Sequence, residues 1–219
     1  EPWGRDTFVS VPGLLLERGK FDGAKRVFRH FGKQIKGGLM PNRIPGGYNS
    51  SDAPLWFIYA LGKYFEKRDD RDFLHEAKGY VESILEGYPE SEAARLDGAL
   101  VSSAPETTWM DTRYTVRKGK AVEVNARWIS ALEIAEGMGL PAPVKPVSAR
   151  REFARFWNEK KGCLYDVIDP YDDSVRPNQA IAVALGAIDG DKAKRAMIVV
   201  RNELLTPYGL RTLSPKDSR

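Results

Sequence analysis

Leu55-Trp56-Phe57-Ile58-Tyr59-Ala60 is an unbroken run of large apolar residues inside a longer stretch, Ala53 to Phe65, that is apolar on nearly every face of a helix. Three other stretches share this character: Thr7 to Leu16, Ala121 to Met138 and Asn178 to Ala187. A helix without a polar face is expected to be buried on all sides. The four stretches therefore predict four interior helices.

Amphipathic stretches alternate with these apolar ones. Their apolar residues recur at helical i, i+3 and i+4 spacing, as in Phe21, Ala24, Phe28, Phe31 and Ile35; Phe73, Ala77, Tyr80 and Ile84; Phe153, Phe156 and Trp157; and Ala193, Met197, Val200 and Leu204. Helices with one apolar face cover a core. Short strands are expected only at Leu164 to Ile168 and in part of Tyr114 to Arg117.

These patterns predict an all-α domain over residues 1–219, built from four hairpins of one interior and one covering helix. The spacing is about 50 residues per hairpin, so a closed ring of six hairpins would need well over about 300 residues. The chain is therefore expected to form part of a helical ring, an open arc or an irregular bundle.

Composition argues against several classes of protein. Lys and Arg total 34 against 30 Asp and Glu, without a like-charged block, so nucleic acid is not an expected partner. The longest apolar run is too short to span a bilayer.

A lone cysteine, Cys163, favours a reducing, cytoplasmic location. His30 and His75 lie in polar helical stretches, which argues against histidine-based triads.

Polar and aromatic residues collect just ahead of each predicted interior helix. The four clusters are Trp3, Arg5 and Asp6; Tyr48, Asn49 and Asp52; Trp109 and Asp111 with Glu123; and Arg176 and Asn178. If the interior helices run parallel, the clusters share one end of the fold. Aromatic rings that stack on sugar faces, with charged groups that bind hydroxyls, indicate a pocket for an uncharged polyol.

Helix capping is the competing interpretation of these residues. Asp6, Asp52 and Asn178 are good N-caps, and Glu123 suits the first turn of a helix. Capping explains neither the arginine beside Asp6 nor Trp109 two residues before Asp111.

Asp111 is the candidate general acid, because its partly apolar surroundings would raise its pKa. Glycoside hydrolysis needs a second carboxylate, for which Glu123 and Asp52 are the candidates within the chain. The segment from Asp166 to Asp173 lacks the glycine and glutamate positions of a calcium loop, so it is interpreted as a solvated turn. No metal or other cofactor is predicted.

Seven short motifs in order resemble those of the amylo-α-1,6-glucosidase domain of glycogen debranching enzymes. They are Gly4-Arg5-Asp6-Thr7-Phe8, Gly38-Leu39-Met40-Pro41-Asn42, Tyr48-Asn49-Ser50-Ser51-Asp52-Ala53, Thr108-Trp109-Met110-Asp111, Ala121-Val122-Glu123, Arg176-Pro177-Asn178 and Gly209-Leu210-Arg211-Thr212-Leu213-Ser214-Pro215. The resemblance runs from Trp3 to Pro215.

This resemblance implies a six-hairpin (α/α) toroid with an inverting site that releases the single glucose left at an α-1,6 branch point. The expected partner is a branched α-glucan or oligosaccharide. By motif, Asp111 corresponds to the general acid, and the wall that holds the glucose ring corresponds to Arg5, Asp6, Asp52, Trp109, Glu123 and Arg176. The family's general base is a glutamate in a segment after the Leu-Ser-Pro loop, so it is expected beyond Arg219, in a longer polypeptide with additional segments or domains. The 219 residues alone are expected to carry the sugar wall and the acid but not the complete catalytic machinery.

Two alternatives stay open at the level of sequence. One is another helical-toroid sugar enzyme, such as a glucoamylase, trehalase or phosphorylase. The other is a non-catalytic carbohydrate-binding scaffold in which the four clusters serve only as caps and packing.

Overall fold

The computed structural model describes residues 2–110 and 112–218. Within them lie eight α-helices: α1 Gly4–Val11, α2 Phe21–Gly32, α3 Ala53–Lys67, α4 Arg71–Gly87, α5 Val122–Gly137, α6 Pro146–Phe153, α7 Asn178–Ala184 and α8 Gly190–Leu204. A single π-helical turn, Pro12–Leu16, extends α1. The observed helices include all four predicted interior ones, with shifted ends. None of them is long and apolar enough to cross a membrane.

The four odd-numbered helices contact one another in sequence order, α1 against α3, α3 against α5 and α5 against α7. Helices α3 and α5 approach closely at Gly62, where a Cβ atom would lie 2.7 Å from the side chain of Ile134. The even-numbered helices α2, α4, α6 and α8 pack beside them and expose their polar faces. The predicted alternation of interior and covering helices is present.

An aromatic cluster fills the core between α1, α2, α3 and α4. The ring centroid of Phe8 lies 4.8 Å from that of Phe57, and the centroid of Phe28 lies 5.6 Å from Phe57 and 6.0 Å from Phe73. All four rings are fully buried. The first two pairs pack edge to face and the third is tilted, and aromatic pairs of this kind contribute about 0.5–1.5 kcal/mol each beyond the burial of their area.

The all-α prediction was wrong in part, because residues 2–110 and 112–218 also form four two-stranded antiparallel sheets. Strands β1 (Ala94–Asp97) and β2 (Leu100–Ser103) form a hairpin, and β3 (Lys120–Ala121) pairs with β6 (Val167–Ile168). Strand β4 (Trp157–Asn158) pairs with β5 (Cys163–Leu164), and β7 (Leu205–Thr206) with β8 (Gly209–Leu210). The two-residue loop of this hairpin is Gly98-Ala99, with Gly98 at a positive φ of 68°, and a glycine in such a loop is a hairpin signal that helical periodicity obscured.

Three local predictions also need correction. Leu164 to Ile168 is divided between β5 and β6, and Tyr114 to Arg117 contains no strand. The stretch from Phe153 to Trp157 is not one helix, because α6 ends at Phe153 and the chain enters β4 at Trp157. Burial on all sides holds for the first half of α5 but not for the first apolar stretch, where Val9 is 47% and Leu14 62% exposed.

Candidate active site

The N-termini of α1 and α3 are joined by an ion pair. Nε of Arg5 donates to both oxygens of the Asp52 carboxylate, at 2.8 and 3.0 Å, and Nη2 donates to Oγ of Ser50 at 3.1 Å. The backbone N–H of Ala53 donates to the same Ser50 hydroxyl. Ser50 therefore contacts the first turn of α3, and Asp52 is left to bind Arg5. The side chain of Asp52 is fully buried, whereas that of Arg5 is 15% exposed and borders the surface.

The N-terminus of α5 carries a second, fully buried ion cluster, formed by Arg117, Glu123 and Asp166. Nη1 and Nη2 of Arg117 donate to the two oxygens of Glu123 at 2.6 and 2.7 Å, and Nε donates to Oδ2 of Asp166 at 2.8 Å. The backbone N–H of Val122 donates to the Asp166 carbonyl, next to the pairing of β3 with β6. This short sheet therefore places Asp166 beside the start of α5.

The two carboxylates of this cluster differ in their electrostatics. Burial works to raise the pKa of Glu123, but the Arg117 guanidinium outweighs it and the pKa is lowered. Burial raises the pKa of Asp166, and Glu123 adds to the rise against the opposing effect of Arg117. The single guanidinium of Arg117 thus balances the charges of two buried carboxylates, and it stabilises the ionised form of Glu123 more than that of Asp166.

Asn178, the first residue of α7, connects this cluster to Trp109. Its Nδ2 donates to Oδ1 of Asp166 at 2.7 Å, and its Oδ1 accepts the indole Nε1–H of Trp109 at 2.8 Å. Met110 follows Trp109, and its sulfur lies 3.6 Å from Nδ2 of Asn178. Asn178 therefore joins the third and fourth sequence clusters.

Two further contacts join the N-terminal ends of α1 and α3 to the N-terminal ends of α5 and α7. The backbone N–H of Ser51 donates to the Thr107 carbonyl at 2.8 Å. The buried guanidinium of Arg127 lies 4.0 Å from the ring centroid of Trp56 and donates to the Glu123 carbonyl. Its burial lowers the pKa of Arg127, with Asp52 and Glu123 opposing the shift. The N-termini of α1, α3, α5 and α7 consequently meet at one end of the fold.

The other candidate residues occupy different positions at this end. Arg176 donates to the Thr212 carbonyl at 3.2 Å, and its Nε lies 3.6 Å from Asp166. Trp3, Asp6 and Asn49 are exposed. Tyr48 is half-buried and anchored to the segment after α2, because its hydroxyl donates to the Gln34 carbonyl. Asp111 lies outside the described residues.

Side-chain capping proves a poor account of Asp6, Asp52 and Asn178, whereas Glu123 is in the first turn of α5, as expected of a helix-dipole partner. Asp6 lies within the first turn of α1, after the actual N-cap Trp3. Asp52 is at the N-cap position of α3 and Asn178 follows the N-cap Pro177 of α7, but neither side chain caps its helix. Both are committed to partners across the site. Glu123, in the first turn of α5, is buried against Arg117 and cannot act as a surface contact without rearrangement.

Sequence reasoning missed Arg117, Asp166 and Arg127. Asp166 was included in a predicted solvated turn, which is wrong for this residue because it is 2% exposed; Asp169 and Asp173 in the same stretch are exposed. The available signal was the Leu164-Tyr165-Asp166-Val167-Ile168 pattern, an acid between apolar residues. Among the described residues, no group of three or more His, Cys, Asp or Glu side chains is placed to hold a metal ion.

The same end contains the remaining sequence motifs. The backbone N–H of Gly4 donates to the Asn42 carbonyl, and a Cβ atom at Gly4 would lie 2.3 Å from the Pro41 carbonyl oxygen, so only glycine permits this contact. Thr212 reaches the site through Arg176. Residues from all seven motifs are therefore linked here.

Comparisons with known proteins identify relatives of this chain. A glycogen debranching enzyme of Saccharomyces cerevisiae is 44% identical over 66 residues, a match that covers 28% of this chain and 4% of the yeast enzyme, so the chain spans a small part of that relative's length. The structure is similar to that of a GH78 family rhamnosidase of Bacillus sp. GL1, with a TM-score of 0.57 and 16% identity over 86% of this chain and 21% of the other. The amylo-α-1,6-glucosidase family profile matches residues 1–219. The chain belongs to the amylo-α-1,6-glucosidase family.

Proposed function

We propose that the end of the fold where α1, α3, α5 and α7 begin binds the glucose of an α-1,6 branch point in a glycogen-type limit dextrin. The observation that supports this most is the meeting of Arg5 with Asp52, and of Trp109 with Asn178, at one end. Loop residues on a rigid helical scaffold are a common way to build a binding site.

In this proposal the exposed and the buried residues have different roles. Trp109 is half-buried and offers its indole face for stacking on the sugar ring, while the partly exposed guanidinium of Arg5 donates to sugar hydroxyls. Asp52 and Asn178 are buried and bind Arg5 and Trp109 respectively, while the buried Glu123 binds Arg117. The exposed Trp3, Asp6 and Asn49, with Tyr48, line the approach.

Asp111 is proposed as the general acid that protonates the glycosidic oxygen as the bond to the glucose C1 breaks. In an inverting mechanism a second carboxylate activates water on the opposite face, about 6.5–9.5 Å from the acid. The buried carboxylates Asp52, Glu123 and Asp166 each accept hydrogen bonds from an arginine. The proposal therefore assigns these three to the support of the site rather than to the role of base.

The wider architecture follows the same reasoning. We propose that the four helical hairpins are part of a six-hairpin toroid, which is supported by the sequential contacts of α1, α3, α5 and α7. A cytoplasmic location stays a prediction from the lone, buried Cys163.

Linkage preference tests the function. Glucose release is measured on panose, which carries a terminal α-1,6-linked glucose, and on maltotriose, for a longer polypeptide that includes the general base expected after Arg219 and for its Asp111→Asn variant. We expect turnover on panose only, reduced at least about 100-fold by the variant, since a positioned general acid contributes about 10²–10⁴-fold. Binding of panose should survive in Asp111→Asn.

A preference for maltotriose would favour a glucoamylase-type enzyme instead. Panose binding by both proteins, without turnover by either, would favour a carbohydrate-binding role for this chain. Unchanged turnover in Asp111→Asn would remove Asp111 from the mechanism.

A further inference from the structure

Hydrogen-bond donors surround the buried carboxylate of Asp166. Arg117 donates from Nε to Oδ2 at 2.8 Å and from Nη2 to Oδ1 at 3.2 Å, and Asn178 donates from Nδ2 to Oδ1 at 2.7 Å. Nε of Arg176 faces Oδ2 at 3.6 Å. The Asp166 side chain is 1% exposed, so these protein groups replace water around it. An acceptor surrounded by donors is the arrangement expected for an ionised carboxylate.

The charge on Asp166 dictates how the Asn178 amide is turned. An amide side chain has donors on its nitrogen and acceptor sites on its oxygen. Because Asp166 requires a donor, the nitrogen of Asn178 faces it and the oxygen faces the opposite way. The only polar hydrogen of the Trp109 side chain is the indole N–H, and it meets that oxygen at 2.8 Å.

Arg117 also contacts the segment just before Trp109. Its Nη1 donates to Oγ1 of Thr108 at 3.1 Å, while Arg117 itself follows Trp109 in the chain by eight residues. The tryptophan is thus held through its indole nitrogen by Asn178 and through its neighbour Thr108 by Arg117. Both holding groups converge on Asp166.

We propose that Asp166 is a positioning residue: acting through Asn178, it fixes the indole of Trp109 and so sets the aromatic wall on which the sugar ring stacks. The role in sugar binding rests on the proposed function, whereas the coupling of Asp166 to the Trp109 indole is testable without sugar.

Replacing Asp166 by asparagine keeps the shape of the side chain but disturbs the order of donors and acceptors in the hydrogen bonds that link Arg117, Asp166 and Asn178. Arg117 donates to both oxygens of Asp166, but an asparagine has only one oxygen. Its amide nitrogen would then face either Arg117 or the nitrogen of Asn178. Turning Asn178 to resolve the second conflict would present a donor to the indole N–H, and the bond to Trp109 would be lost.

The experiment observes indole N–H resonances by nitrogen-15 NMR in the 219-residue chain. The Trp109 signal is identified by its loss in Trp109→Phe, and then followed in Asp166→Asn and Asn178→Ala. The matched control is Gln179→Ala, because Gln179 is the next residue of α7, is equally buried and bonds the Leu164 N–H rather than Trp109.

We expect the Trp109 resonance to shift in Asp166→Asn and Asn178→Ala, with about tenfold faster exchange with water, as for the loss of one hydrogen bond. It should stay in place in Gln179→Ala. A Trp109 signal that is unmoved in a folded Asp166→Asn variant or in Asn178→Ala, or that moves as much in Gln179→Ala, would overturn the inference. Should Asp166→Asn fail to fold, Asn178→Ala decides. The wild-type protein provides a second check, because the indole N–H of Trp109 must exchange with water more slowly than that of the exposed Trp3.

Titration of panose into the same variants tests the second part of the proposal, the role of the positioned Trp109 in sugar binding. We expect affinity about tenfold weaker in Asp166→Asn and Asn178→Ala than in Gln179→Ala, since stacking is lost from the site. A shifted indole resonance with unchanged panose affinity would support the positioning role of Asp166 but contradict the proposed role of Trp109 in sugar binding.

Discussion

Two of the ion clusters at helix starts, those of α4 and α5, differ in their distance from water. Arg117, Glu123 and Asp166 are buried at the start of α5, each with a side chain no more than 2% exposed. Asp70, at the start of α4, is 12% exposed and binds Lys25 at 2.5 Å. Asp70 also accepts the Phe73 backbone N–H, so it caps its helix.

The comparison shows for which of the two clusters a contribution to stability is a sufficient explanation. A capping aspartate with a lysine partner stabilises its helix at small desolvation cost. A buried arginine with two carboxylates costs several kcal/mol per ion to desolvate, and apolar residues often replace such clusters without loss of stability. Glu123 lies in the first turn of α5, where its carboxylate binds Arg117 and also interacts with its own backbone N–H. The buried cluster is better explained by the geometry that it imposes on Asn178 and Trp109.

The largest expected effect on stability is that of Arg117→Met. It leaves Glu123 and Asp166 buried without their shared cation, and removal of one partner of a buried pair costs about 3–5 kcal/mol. Urea unfolding at pH 7 measures the loss. Arg155→Met is the control, because Arg155 binds Glu152 and Asp169 with a guanidinium that is 40% exposed, and such pairs contribute about 0–1 kcal/mol. Equal, small losses in both variants would mean that the buried cluster is not held by charge.

Asp70→Ala should cost less, about 1–2 kcal/mol, from the lost cap of α4 and the lost partner of Lys25. The hydrogen bond from Lys25 lowers the pKa of Asp70 to about 2. Because the folded-state pKa lies below the ordinary value of 3.8, the stabilisation is complete above about pH 4 and is lost as the pH falls toward 2.

Unfolding free energies of wild type and Asp70→Ala should therefore converge between pH 4 and pH 2, apart from small contributions of the protonated side chain. Asp69→Ala is the matched control, since Asp69 is 83% exposed and its nearest cationic nitrogen, on Arg71, is 4.0 Å away. A difference between wild type and Asp70→Ala that does not change with pH would contradict the ionic account of this cap.

The interior helices were predictable because apolar residues on all faces are a strong signal. The four sheets were not, since strands of two residues such as β3 and β4 have too few positions to show an alternating pattern. The failure at Phe153 to Trp157 has the same origin: three aromatic residues at helical spacing fit a helix that in fact ends at Phe153.

At the site, the sequence identified residues that precede the interior helices but not the groups that bind them together. Trp109 and Asn178 could be marked from their types and positions. Their hydrogen bond joins residues 69 positions apart, and no local pattern predicts such a pair. Arg117 and Asp166 were missed because charged residues are usually solvated, and their burial depends on mutual compensation across 49 positions.

Sugar binding at the start of the interior helices is tested most directly by calorimetric titration of panose into the wild-type chain, Trp109→Ala and Trp157→Ala. Trp157 is a suitable control because it is also half-buried and its indole N–H bonds a carboxylate, Glu159, away from the candidate residues. We predict that Trp109→Ala weakens binding at least about tenfold, the scale of one aromatic stacking contact, while Trp157→Ala binds like wild type. Equal affinities in all three proteins would contradict the account.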